Sequence, residues 1–589
     1  MNAATGAFGS EQYKIPFLIG VVGHRDLVDA ELPAIRAAIQ GVLEDIVRCD
    51  ADARVTLLCS MADGADLLAA DVADSLGIPI LALLPYAKDL CRADLANPRE
   101  QALFDRLLAG AERIELPLSP GMSAAQLAKP GAARDRQFKR AGAIVARYSA
   151  LLLAIWDGRD TEHHAGTARV VEFRRRGLVP TDETVMMPSD ALLSAEDNDL
   201  MFEIRCSRAS HPGGPGGVSV PGFTGAQVQA GESLPQALTT PLKRFAEFNR
   251  DVDIFGAEIE RHGRKLSIPS PNPVAQNLTY LDRLFTAADW LGSHYRRCFR
   301  RAVTTRYVLW SLMAFLLVTF KHEKAESHAA WSIFGVLGVF ALGGLFARWA
   351  HRRSWHRKYL DCRALAEGLR VDFYWEIAGV RGEFSGEFAH ESFLQKQDVE
   401  LHWIRDAMRA VSLRLAMAPA THFEGGFAHA FAAWVGDDDP VNGTGQLHYY
   451  TQRAAAAERT LRRWDRATHV LLAIGMTIAL LFGFDAVGEW FGRPLLPSKA
   501  REVLLWGLAL NTVYAAVVEV FLSEMAERSL VRQYRYMRSL FGVAARALRA
   551  PGSHEHKLEI LRSLGHACLA EHAQWILAHR DKRIEGLRW

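Results

Sequence analysis

The 589-residue chain carries 69 Lys and Arg against 67 Asp and Glu, a formal net charge of +2, so no global basic field argues for nucleic acid as a partner. At ~150 residues per domain the length leaves room for about three or four units. Seven cysteines (Cys49, Cys59, Cys91, Cys206, Cys298, Cys362 and Cys568) lie scattered without a Cys-x-x-Cys pair, which suits neither a zinc site nor a disulfide framework and fits reduced thiols in the cytosol.

The opening MNAATGAFGSEQYK has neither an apolar core nor a basic region, so no cleavable secretion signal is expected there. From Ile15 to about Gly177 strand and helix signals alternate. Phe17–Val22 is a short continuous apolar run, the pattern of a strand buried on both faces. Leu32–Val47 has helical periodicity, Val55–Cys59 is a second strand, and Leu67–Leu76 is an Ala-rich helix closed by Gly77. Ile78–Leu84 is a third strand ending at Pro85, and Ala150–Ile155 another, stopping at Trp156. This βαβαβ order predicts an α/β fold with a Rossmann-like open parallel sheet.

Ligands of such sheets bind beyond the carboxyl ends of the strands. Three of those ends carry small or polar residues: Gly23-His24-Arg25-Asp26, the loop from Ser60 through Asp63 and Gly64 to Asp66, and Trp156-Asp157-Gly158. A fourth element, Gly166-Thr167, precedes the helical run Arg169–Arg175. Gly166 lets backbone N–H groups approach an anion, while Thr167 can cap the helix and contact phosphate oxygens. Arg25 offers a planar fork for phosphate. Asp63 or Asp66 can accept from ribose hydroxyls or base amines. The adjacent His163 and His164 lie beside Glu162, but neighbours on one short loop rarely converge on one ion, so no metal is expected. His211–Gly217 and the stretch to Gly231 read as a breaker-rich, flexible excursion.

In this order the motifs resemble the SLOG superfamily, which includes the DprA-type DNA-processing proteins, the LOG-type phosphoribohydrolases and the sensor domains of melastatin-type TRP channels. The resemblance rests on the Gly-His-Arg strand end, on Ser60…Ala62-Asp63-Gly64-Ala65-Asp66 and on the late Gly-Thr turn, and spans roughly Ile15 to Ser207, where Met201–Cys206 looks like a last strand. It implies a pocket for a nucleotide or nucleotide-sugar derivative, with Gly166 and Thr167 facing phosphate. The hydrolytic branch resembles Pro-Gly-Gly-x-Gly-Thr-x-x-Glu; here Val170 holds the Glu position, Glu162-His163-His164 replaces Pro-Gly-Gly, and Glu172 is turned to another side of the helix. Binding without turnover is therefore expected, with no cofactor.

The second half predicts an all-α, multi-pass membrane region. Ala329–Ala347 and Val503–Leu522 are long enough to cross a bilayer core at about 1.5 Å per residue. Tyr307–Phe320 and Val470–Phe484 become adequate if Arg306 and His469 extend toward the headgroups. Arginines flank the outer ends of each pair: Arg296–Arg301 and Arg348–Arg357 around the first, Arg459–Arg466 and Arg528–Arg538 around the second. The loops Lys321–His328 and Asp485–Glu502 are less basic. The positive-inside tendency then puts both termini and the middle segment in the cytosol of a chain embedded in the inner (plasma) membrane. In the fourth run Asn511, Thr512 and Glu519 form a polar set suited to lining a pore in a homo-oligomer, with Glu519 as an interfacial anchor the bland alternative. Gly343-Gly344 offers small residues for close helix packing.

Long cytosolic helices extend from these runs, carrying Tyr359…Arg363-Ala-Leu-Ala-Glu367-Gly-Leu-Arg370…Phe373-Tyr-Trp375 and Gln446…Tyr449-Tyr450. This resembles the SLATT effectors of bacterial conflict loci over roughly Asn277 to Trp589, with two membrane hairpins instead of the usual single pair. That resemblance implies pore formation or permeabilisation on ligand sensing.

The expected linear order is a tail (1–14), the ligand-binding domain (15–245, with a Gly/Pro-rich loop at 208–236) and connecting helices (246–306). A first membrane hairpin (307–350), a cytosolic helical segment (351–466), a second hairpin (467–522) and C-terminal helices (523–589) follow. Three functions fit: a ligand-gated membrane effector, as in antiphage defence; a membrane-tethered nucleotide or N-glycoside hydrolase using Asp63, Asp66 or Asp157; and a DNA-binding membrane protein. The last lacks a concentrated basic face on its soluble part, so no nucleic acid is expected.

Overall fold

A computed structural model describes residues 11–95, 97–119, 122–159, 166–176, 200–210, 217–225, 228–229, 232–266, 275–322, 326–380, 402–417, 423, 425–493, 495–524 and 527–580. Glu162 to Ala165, and all of the Gly/Pro stretch before Gly217 from His211, lie outside the described residues. The chain divides into two units. The first comprises Met1–Trp290, Ala364–Phe427 and Gly565–Ala573; the second comprises Leu291–Arg363, Ala428–Leu564 and Gln574–Trp589.

In the first unit, β1 (Phe17–Gly23) leads through α1 (Leu32–Cys49) to β2 (Val55–Cys59), then α2 (Ala65–Ser75) and β3 (Ile80–Leu84). Next come α3 (Lys88–Ala93), α4 (Pro98–Gly110), β4 (Glu112–Glu115), α5 (Ala124–Leu127), α6 (Ala132–Tyr148), β5 (Leu151–Trp156), α7 (Thr167–Arg176), β6 (Met201–Arg205) and β7 (Ser219–Thr224). The strands form one sheet in the order β4-β3-β2-β1-β5-β6-β7, parallel except for β7. Ile19 on β1 aligns with Leu57 on one side and Leu151 on the other. All three are fully buried, as expected for a parallel sheet covered on both faces.

Two strands escape the pattern reading. β4 (Glu-Arg-Ile-Glu) is a mostly exposed sheet edge, so it has no apolar run to betray it. β7 lies inside the stretch expected to be a flexible loop. It pairs antiparallel with β6, with a register shift between Glu203 and Arg205, and an edge position tolerates its Pro221.

α8 (Gln236–His262) covers the start of β1. Asn249 accepts from the N–H of Ile15 at 2.9 Å and donates to the carbonyls of Ile15 at 3.0 Å and Asp52 at 2.9 Å. Residues 11–14, expected to be part of a tail, are packed here: Tyr13 is buried and Lys14 lies 3.0 Å from Asp253. Four long helices follow: α9 (Ala275–His322), α10 (Glu326–Arg353), α11 (Trp355–Ala378) and α12 (His402–Met417). α12 joins the sheet domain, where Arg414 forms a bidentate pair with Glu112 of β4, both contacts 2.6 Å, and Trp403 meets Phe245, which itself meets Phe17.

The short α13 (Gly426–Ala430) runs into a π-helical turn at Phe431–Val435. α14 (Gly445–Trp490), α15 (Ser498–Glu524), α16 (Glu527–Arg549) and α17 (His554–Arg580) complete the described elements. α14 and α15 form a hairpin whose turn is tied by Asp485, which accepts from the N–H groups of Leu495 (3.0 Å) and Leu496 (2.9 Å) and pairs with Arg501 at 2.6 Å.

Four helical stretches are long and apolar enough to cross a membrane: Leu278–Val318, Ile333–Ala378, Gly445–Trp490 and Ser498–Leu522. At most 17% of each apolar window is buried, and large side chains such as Phe334, Leu345, Met476 and Val503 lie open. Open apolar faces on this scale mark contact with lipid or a partner in place of water. The sheet domain and the four apolar helices are thus as the patterning predicts.

Candidate functional site at the strand ends

From β1 the chain proceeds outward through β2, β3 and β4, then returns to place β5 on the other side of β1. The carboxyl ends of β1 and β5 therefore flank the reversal of strand order, the crevice where open α/β sheets take ligands. Pairing continues past the strand, as His24 N–H donates to the Ile155 carbonyl at 3.0 Å.

The β1 end and the start of α2 are in intimate contact. Ala65 N–H donates to the His24 carbonyl at 3.1 Å. Gly64 has φ +74°, and a Cβ there would stand 2.4 Å from the Arg25 carbonyl oxygen. A Cβ on Gly23 would stand 2.2 Å from that of Ala65. The two glycines are required because strand and helix backbones nearly touch.

Around this contact sit the titratable groups. His24 Nε2 is 3.2 Å from Asp157 Oδ1, both side chains buried. The nitrogen is nevertheless without an aligned hydrogen-bond partner, so this is a close pair with off-line geometry. Burial holds the imidazole below its ordinary pKa, outweighing the neighbouring Asp157. Asp157 also accepts from the Arg159 N–H at 3.2 Å, which fixes the turn after β5. Asp66 is 5% exposed, and burial pushes its carboxyl up to about 7, against the pull of backbone donors and of Arg25. Ser60, at the end of β2, is also buried.

The remaining expected residues have more particular places. Arg25 is exposed, its guanidinium 3.9 Å over the Phe138 ring. Asp26 is engaged by Arg208 at 3.0 Å and by the Ser210 hydroxyl; burial raises its pKa, but these hydrogen bonds prevail and hold it low. It fastens the segment after β6. Asp63 accepts from the Gly64 N–H at 2.7 Å and lies near the Glu100 carboxyl, which burial and Asp63 together push up. Trp156 is 1% exposed, its ring in the core, and Gly158 packs beside Arg205. Helix α7 begins at Thr167, so Gly166 (φ +117°) holds the position before the first turn and Thr167, buried, lies within it. Val170 packs on α6: a Cβ on Gly142 would come 2.8 Å from its Cγ2. Glu172 pairs with Arg169 at 2.9 Å.

Three residues outside the expected set complete this end of the sheet. Glu203 is fully buried on β6 and pairs with Arg175 at 2.5 Å and Arg205 at 3.5 Å. A lone carboxylate in a strand gives no signal in sequence, because its closer partner, Arg175, comes from α7. No group of three or more metal-ligating side chains is present among the described residues.

In the second unit, Asn511 Nδ2 donates to the Leu471 carbonyl on α14 at 2.9 Å. Thr512 bonds back to the Leu508 carbonyl of its own helix at 2.8 Å. Glu519 is exposed and lies 3.5 Å from Arg528. Thr512 and Glu519 share an exposed face, while Asn511 turns toward the partner helix. Around Gly343 and Gly344 nothing lies within 4 Å of a would-be Cβ among the described residues.

Comparison with known protein families, curated proteins and solved structures finds no match.

Proposed function

We propose that the chain is a ligand-gated membrane effector: a SLOG-like strand-end crevice takes a nucleotide-derived anion and a SLATT-like helical region, as a homo-oligomer, responds by conducting ions or breaching the inner membrane. Bacterial defence against phage is the setting that the resemblance implies. The observation that carries this reading is the unbroken helix α9, which belongs to the crevice-bearing unit up to Trp290 and to the apolar-helix unit from Leu291. A ligand drives the response only through tighter binding to the open arrangement than to the closed one.

The crevice supplies the parts that anion capture requires: the Gly166 turn at the start of α7, the exposed Arg25 and the backbone contact at Gly64. The polar set on α15 supports a narrower role than a continuous pore wall, since only Thr512 and Glu519 share its exposed face.

The test is ion flux from liposomes carrying the full chain, challenged with nucleoside monophosphates, ADP-ribose and related nucleotide sugars. Flux evoked by a ligand that also binds supports gating; silence with every ligand that binds overturns it. The buried Asp66, half-ionised near neutrality, favours a second reading as a hydrolase with Asp66 as acid/base. Product analysis in the same incubations separates the two.

A further inference from the structure

The second unit holds a cavity of about 470 Å³ between α14 and α16. Its apolar floor is Leu461 and Val531, and its rim carries Arg462, Arg528, Arg532, Arg535 and a single acid, Glu458. On α16 the arginines recur at intervals of four and three residues, which places them in one stripe along the helix.

The acids present do not neutralise this rim. Glu458 is taken by Arg535 at 2.7 Å and approached by Arg462 at 3.8 Å. Arg528 reaches Asp465 only at 3.9 Å and Glu519 at 3.5 Å. Arg532 is exposed and has no acidic partner among the described residues. Arg462, Arg528 and Arg535 keep more than half of their side-chain surface open to solvent, and with Arg532 they line one cavity from two helices.

Position and lining choose among anions. Arg462 precedes the apolar run that starts at Val470 by eight residues, about 12 Å of helix, and Arg528 follows Leu522 by six residues in the sequence. That is the depth of the headgroup layer beside a ~30 Å hydrocarbon core. An inorganic phosphate gains nothing from a floor of Leu461 and Val531, whereas a phosphodiester bearing a glycerol does. We propose that this cavity is a site for the phosphate of an anionic glycerophospholipid headgroup, chelated by Arg462 and Arg532 over the apolar floor.

The test uses the full chain purified in neutral detergent and offered phosphatidylglycerol and phosphatidylcholine, with retained lipid counted by native mass spectrometry. The expected result is preferential retention of phosphatidylglycerol, unaffected by excess inorganic phosphate. Arg532→Gln should weaken it about fivefold, Arg462→Gln with Arg532→Gln should abolish the preference, and Arg538→Gln, outside the cavity, should leave it unchanged. Arg532→Gln breaks no ion pair, so unfolding does not mask its effect; unchanged helical circular dichroism verifies this. Equal retention of both lipids, or undiminished retention by Arg532→Gln, overturns the site. Displacement by phosphate without lipid preference overturns the lipid in favour of a soluble anion.

Discussion

Asp66 shows how one residue type acquires a role from its surroundings. In the sequence this aspartate, ahead of an Ala-rich helix, reads as an acceptor for ribose hydroxyls or base amines. Here the contact between β1 and α2 closes over it, and burial raises its carboxyl from the usual carboxylate range to about 7. The linkage has a definite sign. A carboxyl whose folded pKa exceeds its unfolded value contributes stability that is complete below the unfolded value and is lost as pH rises through the folded one. Between pH 4 and 7 the wild-type domain should therefore lose stability on the order of 4 kcal/mol from this group. Asp66→Asn should remove that slope. Protection factors of the Ala65–Ser75 amides, corrected for intrinsic exchange, would check it: a slope that persists in the variant refutes the assignment. The candidate residues at the strand ends were legible because small and polar residues interrupt apolar runs there. Glu203 and Glu100 were not, since each depends on a partner brought from elsewhere: Arg175 for the first, Asp63 for the second.

At the scale of elements, apolar runs marked β1, β2, β3 and β5, and β6 was expected at Met201–Cys206 despite its Glu203; only the edges β4 and β7 escaped, one for want of apolar residues and one for its Gly and Pro. The hairpin of α14 and α15 depends on a detail that hydropathy does not carry. Gly475 leaves room for Asn511, whose amide reaches the Leu471 carbonyl; a Cβ on Gly475 would stand 2.7 Å from the Asn511 nitrogen. In an apolar medium such a bond is worth roughly 0.6 to 2 kcal/mol. Asn511→Leu should weaken the hairpin by about 1 kcal/mol, read as a shift in steric-trapping free energy in lipid bicelles. Thr512→Val, which gives up only a bond to its own helix, should change this little. Equal effects would mean that the Asn511 bond is not holding the helices together.

At the scale of the molecule, the two units do not follow one another along the chain. α9 passes from the first to the second, α11 passes back, and α17 carries residues of both. If helix continuity transmits the ligand's effect, four glycines inserted after Trp290 should leave ligand affinity unchanged and lower ligand-evoked flux at least about tenfold, since Gly costs helix stability of about 1 kcal/mol per residue. Calorimetry and liposome flux on the same preparation read both quantities. Preserved flux would assign the coupling to some other element.

Hydropathy and periodicity alone determined that this chain pairs a parallel-sheet domain with four helices fit for lipid, because both are properties of contiguous residues: an apolar run must be buried by a sheet, a core or a membrane. Tertiary structure alone decided that α12 joins the sheet domain through Arg414 and Glu112, that Asp26 is spent on Arg208 and Ser210, and that arginines of α14 and α16 surround one cavity. Those facts depend on which distant segments meet. Such meetings are set by packing across the whole chain, which no local window contains.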